Sequence, residues 1–312
     1  MRFAKGHGTE NDFVILLDPD GREGLTHDLA ARLCERRTGI GADGVLRAVR
    51  TAALAEAASS PAGSDSAGNG SAGDGSAGDG SAGDGAPGPG AEPGPEWFMD
   101  YRNADGSVAE MCGNGLRVFA RYLAKHGLTE DGEFTVETRS GPRQARLHGP
   151  AGDGGVTVNM GRVAVLGPGS AVIGGQSCDG LRVSVGNPHL ACLVDAPLAA
   201  FDLSRPPSLD PGQFPGGGNV ELARLTGPRS VAMRVHERGS GETRSCGTGA
   251  VAAAAAAAAA APTETGQDWD PWSVTVPGGE LTVTLDADRA WLTGPAVIVA
   301  EGDLDPAWLA AH

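Results

Sequence analysis

One segment constrains this chain more than any other: His236 to Ala261, HERGSGETRSCGTGAVAAAAAAAAAA. A polar, glycine-punctuated loop runs into a single cysteine, Cys246, then at once into small apolar residues ending in ten consecutive alanines, Ala252 to Ala261. Alanine has the highest helix propensity and Pro262 supplies a stop, so the run predicts a helix. That helix has no polar face. A helix apolar all round has to be enclosed on every side, so the rest of the chain must wrap a shell around it. Its N-terminus then carries Cys246 out of a core towards a cavity. The dipole and free N–H groups of a helix N-terminus favour thiolate over thiol, which predicts a reactive cysteine there, half of an active site.

The chain has enough material for such a shell. Its 312 residues allow two domains of ordinary size, and 40% of them are hydrophobic. Aromatics are scarce at 4%, so alanine, valine and leucine must do most of the packing. A net charge of −15 argues against nucleic acid or an anionic membrane as partner. The start, MRFAKGHGTENDF, has no apolar stretch of signal-peptide length, and the alanine run is too short and too weakly hydrophobic to span a bilayer. The expectation is a soluble, cytoplasmic protein. The five cysteines (Cys34, Cys112, Cys178, Cys192 and Cys246) include no C-x-x-C pair, which disfavours a zinc site or a dithiol redox motif. No metal is expected, and in a reducing compartment all five are free thiols.

In order along the chain, residues 13–17 read as a strand, 28–37 as a helix with Cys34 as a packed, inert thiol, and 45–49 as a strand. Gly39 to Gly44 spells G-x-G-x-x-G, but a helix precedes it and a strand follows, the reverse of the dinucleotide-binding order. Residues 52–95 are a low-complexity insertion built on SAGDG repeats, with six acids and no basic residue. It is too poor in apolar surface to offset chain entropy, which predicts a disordered loop. Strand 97–101 and a turn at 102–106 lead to Met111-Cys112-Gly113-Asn114-Gly115, which opens a helix through Lys125 with Gly127 at its C-terminal end. Strands follow at 133–138, 143–148 and 156–160. Beyond them, 183–185, 190–194, 231–235, 273–276, 281–285 and 290–293 read as strands, with a loop reaching Gly216 to Leu222.

The two parts of the chain superimpose at their cysteines. Cys112-Gly-Asn-Gly matches Cys246-Gly-Thr-Gly, each opening an apolar helix, and nine residues before each cysteine stands a polar residue at a strand end, Asn103 or Glu237. Asn187 and Cys246 are 59 positions apart; Asn11 and Cys112 are 101 apart, or 57 without the 44 residues of the insertion. This spacing indicates an internal duplication: residues 1–163 as an N-terminal half, 164–295 as a C-terminal half, and 296–312 as a tail expected to pack back on the first. Two such halves face to face bring two helix N-termini, each with a cysteine, to one cleft. Inverting an sp3 carbon with an acidic hydrogen needs a base on one face and an acid on the other, which a thiolate and a thiol supply. The charge that builds on an adjacent carboxylate is met by backbone donors at the helix starts, with glycines allowing close approach.

HGTENDF at 7–13, NADGS at 103–107, MCGNG at 111–115, GNPH at 186–189, GGNVE at 217–221 and HERGSGETRSCGTG at 236–249 together resemble the diaminopimelate epimerase family, in that family's order and over nearly the whole chain except the insertion. The resemblance implies an α+β fold of two similar β-rich domains, each a curled mixed sheet around a central helix, with the active site in the cleft between them. It also implies a cofactor-independent isomerase that interconverts LL- and meso-diaminopimelate for lysine and peptidoglycan synthesis. Position by position, Cys112 and Cys246 correspond to the acid/base thiols. Gly113, Asn114, Gly247 and Thr248 correspond to the helix starts that hold the reacting carboxylate. Asn11, Asn103, Asn187, Asn219, Glu237 and Arg238 correspond to the substrate-binding set. A guanidinium at Arg238 suits the distal carboxylate and Glu237 suits an ammonium. His189 is either a further site residue or a strand-end histidine. Gly44 stands where some members of the family carry a polar side chain, so any contact there is lost or made by backbone.

Two rival readings differ in substrate or class. A sister isomerase such as a proline racemase would leave Arg238 and the asparagines without partners, and a thiol redox protein would need a functional, reducible Cys112–Cys246 link. The expected partner is a small-molecule substrate, with no cofactor; oligomeric state is open, a homodimer being one expectation.

Overall fold

A computed structural model describes residues 1–54, 94–129, 132–149, 154–260, 271–286 and 289–311. Residues 55–93 of the low-complexity stretch and the stop at Pro262 lie outside the described residues. The N-terminal strands are Arg2–Gly8 (β1), Asn11–Leu17 (β2), Gly44–Arg50 (β3), Trp97–Asn103 (β4), Glu133–Glu137 (β5), Arg143–Leu147 (β6) and Val156–Arg162 (β7). Along β1 to β7 neighbours pair antiparallel, parallel, antiparallel, parallel, antiparallel and antiparallel.

The C-terminal strands repeat this series. Ala164–Ile173 (β8) and Gln176–Ser184 (β9) form a hairpin, and Pro188–Leu193 (β10) follows. A two-residue strand, Ser208–Leu209 (β11), borders β8. Asn219–Gly227 (β12), Ser230–Glu237 (β13), Gly241–Thr243 (β14, a short flank on β13), Trp272–Val276 (β15), Gly279–Asp286 (β16) and Arg289–Gly294 (β17) complete the set. From β9 through β10, β12, β13, β15 and β16 to β17 the pairings are again antiparallel, parallel, antiparallel, parallel, antiparallel, antiparallel. The last strand, Val297–Asp303 (β18), pairs antiparallel with β1, so it stands to β1 as β8 stands to β9. Antiparallel pairing of β7 with β17, Leu292 opposite Val158, joins the two sheets. At β8, β9 and β12 the structure departs from the sequence reading. The β8–β9 hairpin was not expected, and the loop read as reaching Leu222 is from Asn219 onward a strand.

Each sheet encloses one helix, Gly113–Lys125 in the N-terminal domain and Gly247–Ala260 in the C-terminal domain. The first packs against β1, β2 and β7; the second against β9, β10, β12 and β13. Alanines 252–257 are buried and the last turn emerges, as an apolar helix with one free end requires. Their short side chains let the strands close tightly, and Met233, Val235, Val274 and Val283 fill the space from the sheet side. The first helix carries larger residues, Leu116, Phe119, Tyr122 and Leu123, and ends at Gly127 in a left-handed conformation (φ +62°). The helix expected over 28–37 runs only over His27–Cys34; Thr26 caps its first turn and Glu35 turns to extended backbone (ψ 122°). Gly39–Gly44 follows that helix and leads into β3, the order that excludes a dinucleotide fold. Among the described residues no helix is long and apolar enough to cross a membrane.

The interior of the N-terminal domain holds a charged knot. Asp100 on β4 is buried and faces Arg139 (2.5 Å), Arg47 (2.8 Å) and Arg102 (3.2 Å), while Arg47 also reaches Asp18 at 3.2 Å. Burial pushes the Asp100 carboxyl up, and the three guanidinium groups outweigh it, holding it below the ordinary carboxylate range. Its contribution is therefore complete above the unfolded pKa of about 3.9 and is lost as pH falls through the lower folded value. D100N should cost about 3 kcal/mol at neutral pH, because it removes the charge that Arg102 and Arg139 face and leaves Arg47 with Asp18 alone. In urea titrations the gap from the parent should narrow as pH is lowered below about 4; a gap independent of pH would contradict the assignment.

Candidate active site

Both cysteines cap their helices in the same way. The Cys112 sulfur accepts from the backbone N–H of Gly115 (3.4 Å), and the Cys246 sulfur from that of Gly249 (3.3 Å), with Thr248 Oγ1 3.4 Å away. The two helix N-termini meet. A Cβ on Gly247 would lie 3.4 Å from Asn114 N, and Leu292 of β17 would touch a Cβ on either Gly113 (3.2 Å) or Gly247 (3.0 Å). Glycine at these positions leaves the two helix starts and Leu292 in close approach without a Cβ between them.

The N-terminal domain sets three asparagines. Asn11 Nδ2 donates to Asp43 (2.8 Å), which leaves Asn11 Oδ1 to accept from Asn114 Nδ2 (3.1 Å) and to face the Cys112 thiol at 3.8 Å. Asn114 is fully buried and also donates to Ser245 O (3.1 Å), tying the first helix to the residue before Cys246. Asn103 ends β4 and donates to Ser107 within its own turn, 3.0 Å away. At position 44 the room for a side chain is already taken: a Cβ there would stand 2.6 Å from Arg102 O and 2.7 Å from the Tyr101 ring.

The C-terminal domain sets the other group. Asn187 Oδ1 lies 2.9 Å from His189 Nε2, and His189 Nδ1 lies 2.6 Å from Glu221 Oε1. His189 and Glu221 are both fully buried, so the histidine stands behind Asn187 instead of in the cleft. Asn219 Oδ1 accepts from the backbone N–H of Arg238 (2.9 Å), and the exposed Arg238 guanidinium donates to Gly216 O (3.0 Å). Thr243 donates to Glu237 Oε1 at 2.5 Å, and the Glu237 carboxyl lies near enough to Cys246 to raise its thiol. The structure therefore draws the predicted residues into two hydrogen-bonded groups, one around Cys112 and one beside Cys246. Asn103 is linked by hydrogen bonds to its own turn.

A family profile described as Diaminopimelate epimerase matches residues 89–166 and 181–300. The diaminopimelate epimerase of Thermobifida fusca (strain YX) is 54% identical over 304 residues, spanning 97% of this chain and 98% of its own length. That of Mycolicibacterium smegmatis is 50% identical, with 99% and 98% covered. This chain belongs to the diaminopimelate epimerase family. Solved structures with a similar fold include a PhzF-family phenazine biosynthesis protein from Bacillus anthracis (TM-score 0.64, 15% identity, 97% of this chain and 98% of that one). A probable proline racemase from Agrobacterium radiobacter K84 gives a TM-score of 0.61 at 13% identity, with 98% and 95% covered. At these identities the likeness is one of fold.

In this diaminopimelate epimerase-family chain the resting state of the sulfurs differs from the sequence expectation. Burial pushes the Cys112 thiol up to about 11; the N–H groups of Gly115 and Asn114 and the Arg117 charge pull it down, while Glu237 pushes it further up. Burial raises Cys246 well above the ordinary thiol range, followed by Glu237 and Glu221, against the pull of Thr248 and Gly249. The helix-start donors act in the direction expected, but desolvation outweighs them. Glu237 is itself raised, by burial first, against the pull of Thr243 and Cys246. At neutral pH both sulfurs are therefore held as thiols.

Several residues of the site escaped the sequence reading. Thr9 and Ser245 share a 2.6 Å hydrogen bond that pins the β1–β2 turn to the Cys246 loop, and Arg117 donates to both Asn114 (2.9 Å) and Thr9 (3.3 Å). Asp43 fixes the Asn11 amide, and Glu221 backs His189. Thr9, Glu221 and Ser245 lie inside the recognised motifs but carried no separable signal. Arg117 showed only as one of three basic residues in its helix, with Arg121 and Lys125.

Proposed function

We propose that this protein interconverts LL- and meso-diaminopimelate by proton transfer between two cysteines, without a cofactor. The observation that carries the reading is the symmetric pair of sulfur-capped helices meeting N-terminus to N-terminus, in a chain 54% identical to a diaminopimelate epimerase. A substrate carboxylate seated between the helix starts accepts from backbone N–H groups at Gly113, Asn114, Gly247 and Thr248 and meets the positive ends of both dipoles. One sulfur, as thiolate, removes the α-hydrogen. The electron pair passes into the carboxylate, where those donors stabilise it. The other thiol gives its proton to the opposite face, and the sulfurs exchange roles. Burial, which raises both thiols, also makes the thiolate the stronger base the weakly acidic α-hydrogen needs. Asn11, Asn103, Asn187 and Asn219 orient the polar ends, Arg238 takes the distal carboxylate, and Glu237 serves the ammonium.

The test is direct. Reduced protein incubated with LL-diaminopimelate and no added cofactor should yield the meso isomer, resolved by chiral chromatography, and leave L-proline unchanged. Racemised proline with untouched diaminopimelate would favour the sister isomerase and sink this reading.

A further inference from the structure

Arg117 is a fully buried side chain, and its guanidinium has no carboxylate partner among the described residues. Its three acceptors are neutral: Asn114 Oδ1 (2.9 Å), Thr9 Oγ1 (3.3 Å) and Pro295 O (3.4 Å). The contrast within the same domain is Arg47, which is shared by two aspartates. The slot for Arg117 is built by two glycines: a Cβ on Gly8 would come within 2.9 Å of Nη2 and one on Gly294 within 3.3 Å of Nε. Burying an unpaired charge is costly and is tolerated only where something else in the site answers it. Burial lowers Arg117 to about 10, which leaves it cationic at neutral pH. The titratable group it acts on is Cys112, five residues earlier at the start of its own helix.

We propose that Arg117 is the fixed positive charge of the reaction site, a positioning residue with two effects. Its field favours the thiolate of Cys112 and the charge that grows on the substrate carboxylate, and its hydrogen bond to Asn114 Oδ1 turns the Asn114 amide so that Nδ2 links Asn11 to Ser245. Two other titratable groups act near Cys112, and of these Glu237 opposes Arg117. Glu237, at the end of β13, disfavours the thiolate, and Tyr101 on β4 interacts with both Cys112 and Glu237 as a phenol that burial keeps protonated. Arg117 is thus the side-chain cation acting on this sulfur. The catalytic part of the proposal rests on the two-thiol reading above, whereas the effect on Cys112 does not.

Two variants of the full chain separate charge from hydrogen bonding. R117Q removes the charge and leaves a shorter amide donor in the slot; R117K keeps the charge. In reduced, substrate-free protein at about pH 8, iodoacetamide modification of Cys112 and Cys246 is followed separately by peptide mass spectrometry. In R117Q the Cys112 rate should fall about 5- to 10-fold relative to Cys246, close to one pKa unit, and in R117K it should stay within about 2-fold of the parent. With LL-diaminopimelate, R117Q should lose about 100-fold in kcat with a smaller change in KM, and R117K should recover part of it. An unchanged Cys112 rate in folded R117Q, or an equal loss in both variants, would overturn the proposal. If R117Q does not fold, a Cys112 rate in R117K reduced as much as 5-fold would overturn it. Should the parent fail to epimerise diaminopimelate, the alkylation result still decides the effect on the thiol.

Discussion

C246A and C112A are each expected to lower kcat with LL-diaminopimelate by about 1,000-fold or more, with KM little changed. Each sulfur sits at the first turn of a helix whose N–H groups hold it in place, so no other side chain takes over its position. Removing one leaves an α-carbon with a base and no acid, or the reverse. The losses should not add: once one thiol is gone the remaining one has no completed transfer to serve, so the double variant should be hardly worse than either single one. Both changes remove little packing volume, and thermal unfolding midpoints should stay near that of the parent. Full activity in either single variant would contradict the two-thiol account.

G278A is expected to damage both stability and turnover from a position outside the substrate contacts. A Cβ on Gly278 would stand 1.9 Å from Thr9 O, a backbone atom that cannot swing aside as a side chain tip could. The turn it would push is already strained. Thr9 and Glu10 hold positive φ values of +50° and +61°, kept there in part by the Thr9–Ser245 bond and by Arg117. Displacing that turn should cost about 3 kcal/mol and lower the melting temperature by about 5–10 °C. It should also pull Ser245 away from Asn114 and move Cys246 relative to Cys112. Because a shift of about 1 Å at a reacting centre can cost 100-fold, kcat should fall at least 10-fold below the unfolding range. Paired melting curves and initial rates check both effects, and normal turnover with a lowered melting point would show that the turn serves stability alone.

These two cases mark where sequence stops being informative. The cysteines, their glycines and the enclosed alanine helix were readable because each is a strong local signal: a ten-alanine run must be buried, and Cys-Gly-x-Gly before an apolar helix places a thiol at its start. The duplication was readable from matched spacings, and the structure repeats it strand for strand. The β8–β9 hairpin was missed because Ala164 to Ser184 is rich in glycine and serine and only partly buried. Its one usable cue was Gly174-Gly175, whose positive φ values (+55° and +85°) make the hairpin turn. Gly278 read as an ordinary turn glycine, since its need to be glycine comes from Thr9, far away in sequence. The same is true of Arg117, Asp43 and Glu221, whose meaning lies in partners that the fold supplies. The thiolate expectation erred for a related reason: a helix start is visible in sequence, while the desolvation that opposes it comes from burial that only the fold supplies.

The most direct test of two thiols on opposite faces of one carbon is the early fate of solvent hydrogen. Parent protein is given LL-diaminopimelate in deuterated water, the reaction is stopped at low conversion, and both isomers are analysed by mass spectrometry. With one base and one separate acid, the meso product should carry deuterium at a single α-carbon while the recovered LL substrate carries none. Product that keeps its original α-hydrogen, or recovered substrate labelled as heavily as product, would mean that one group both removes and returns the proton, and would contradict the account.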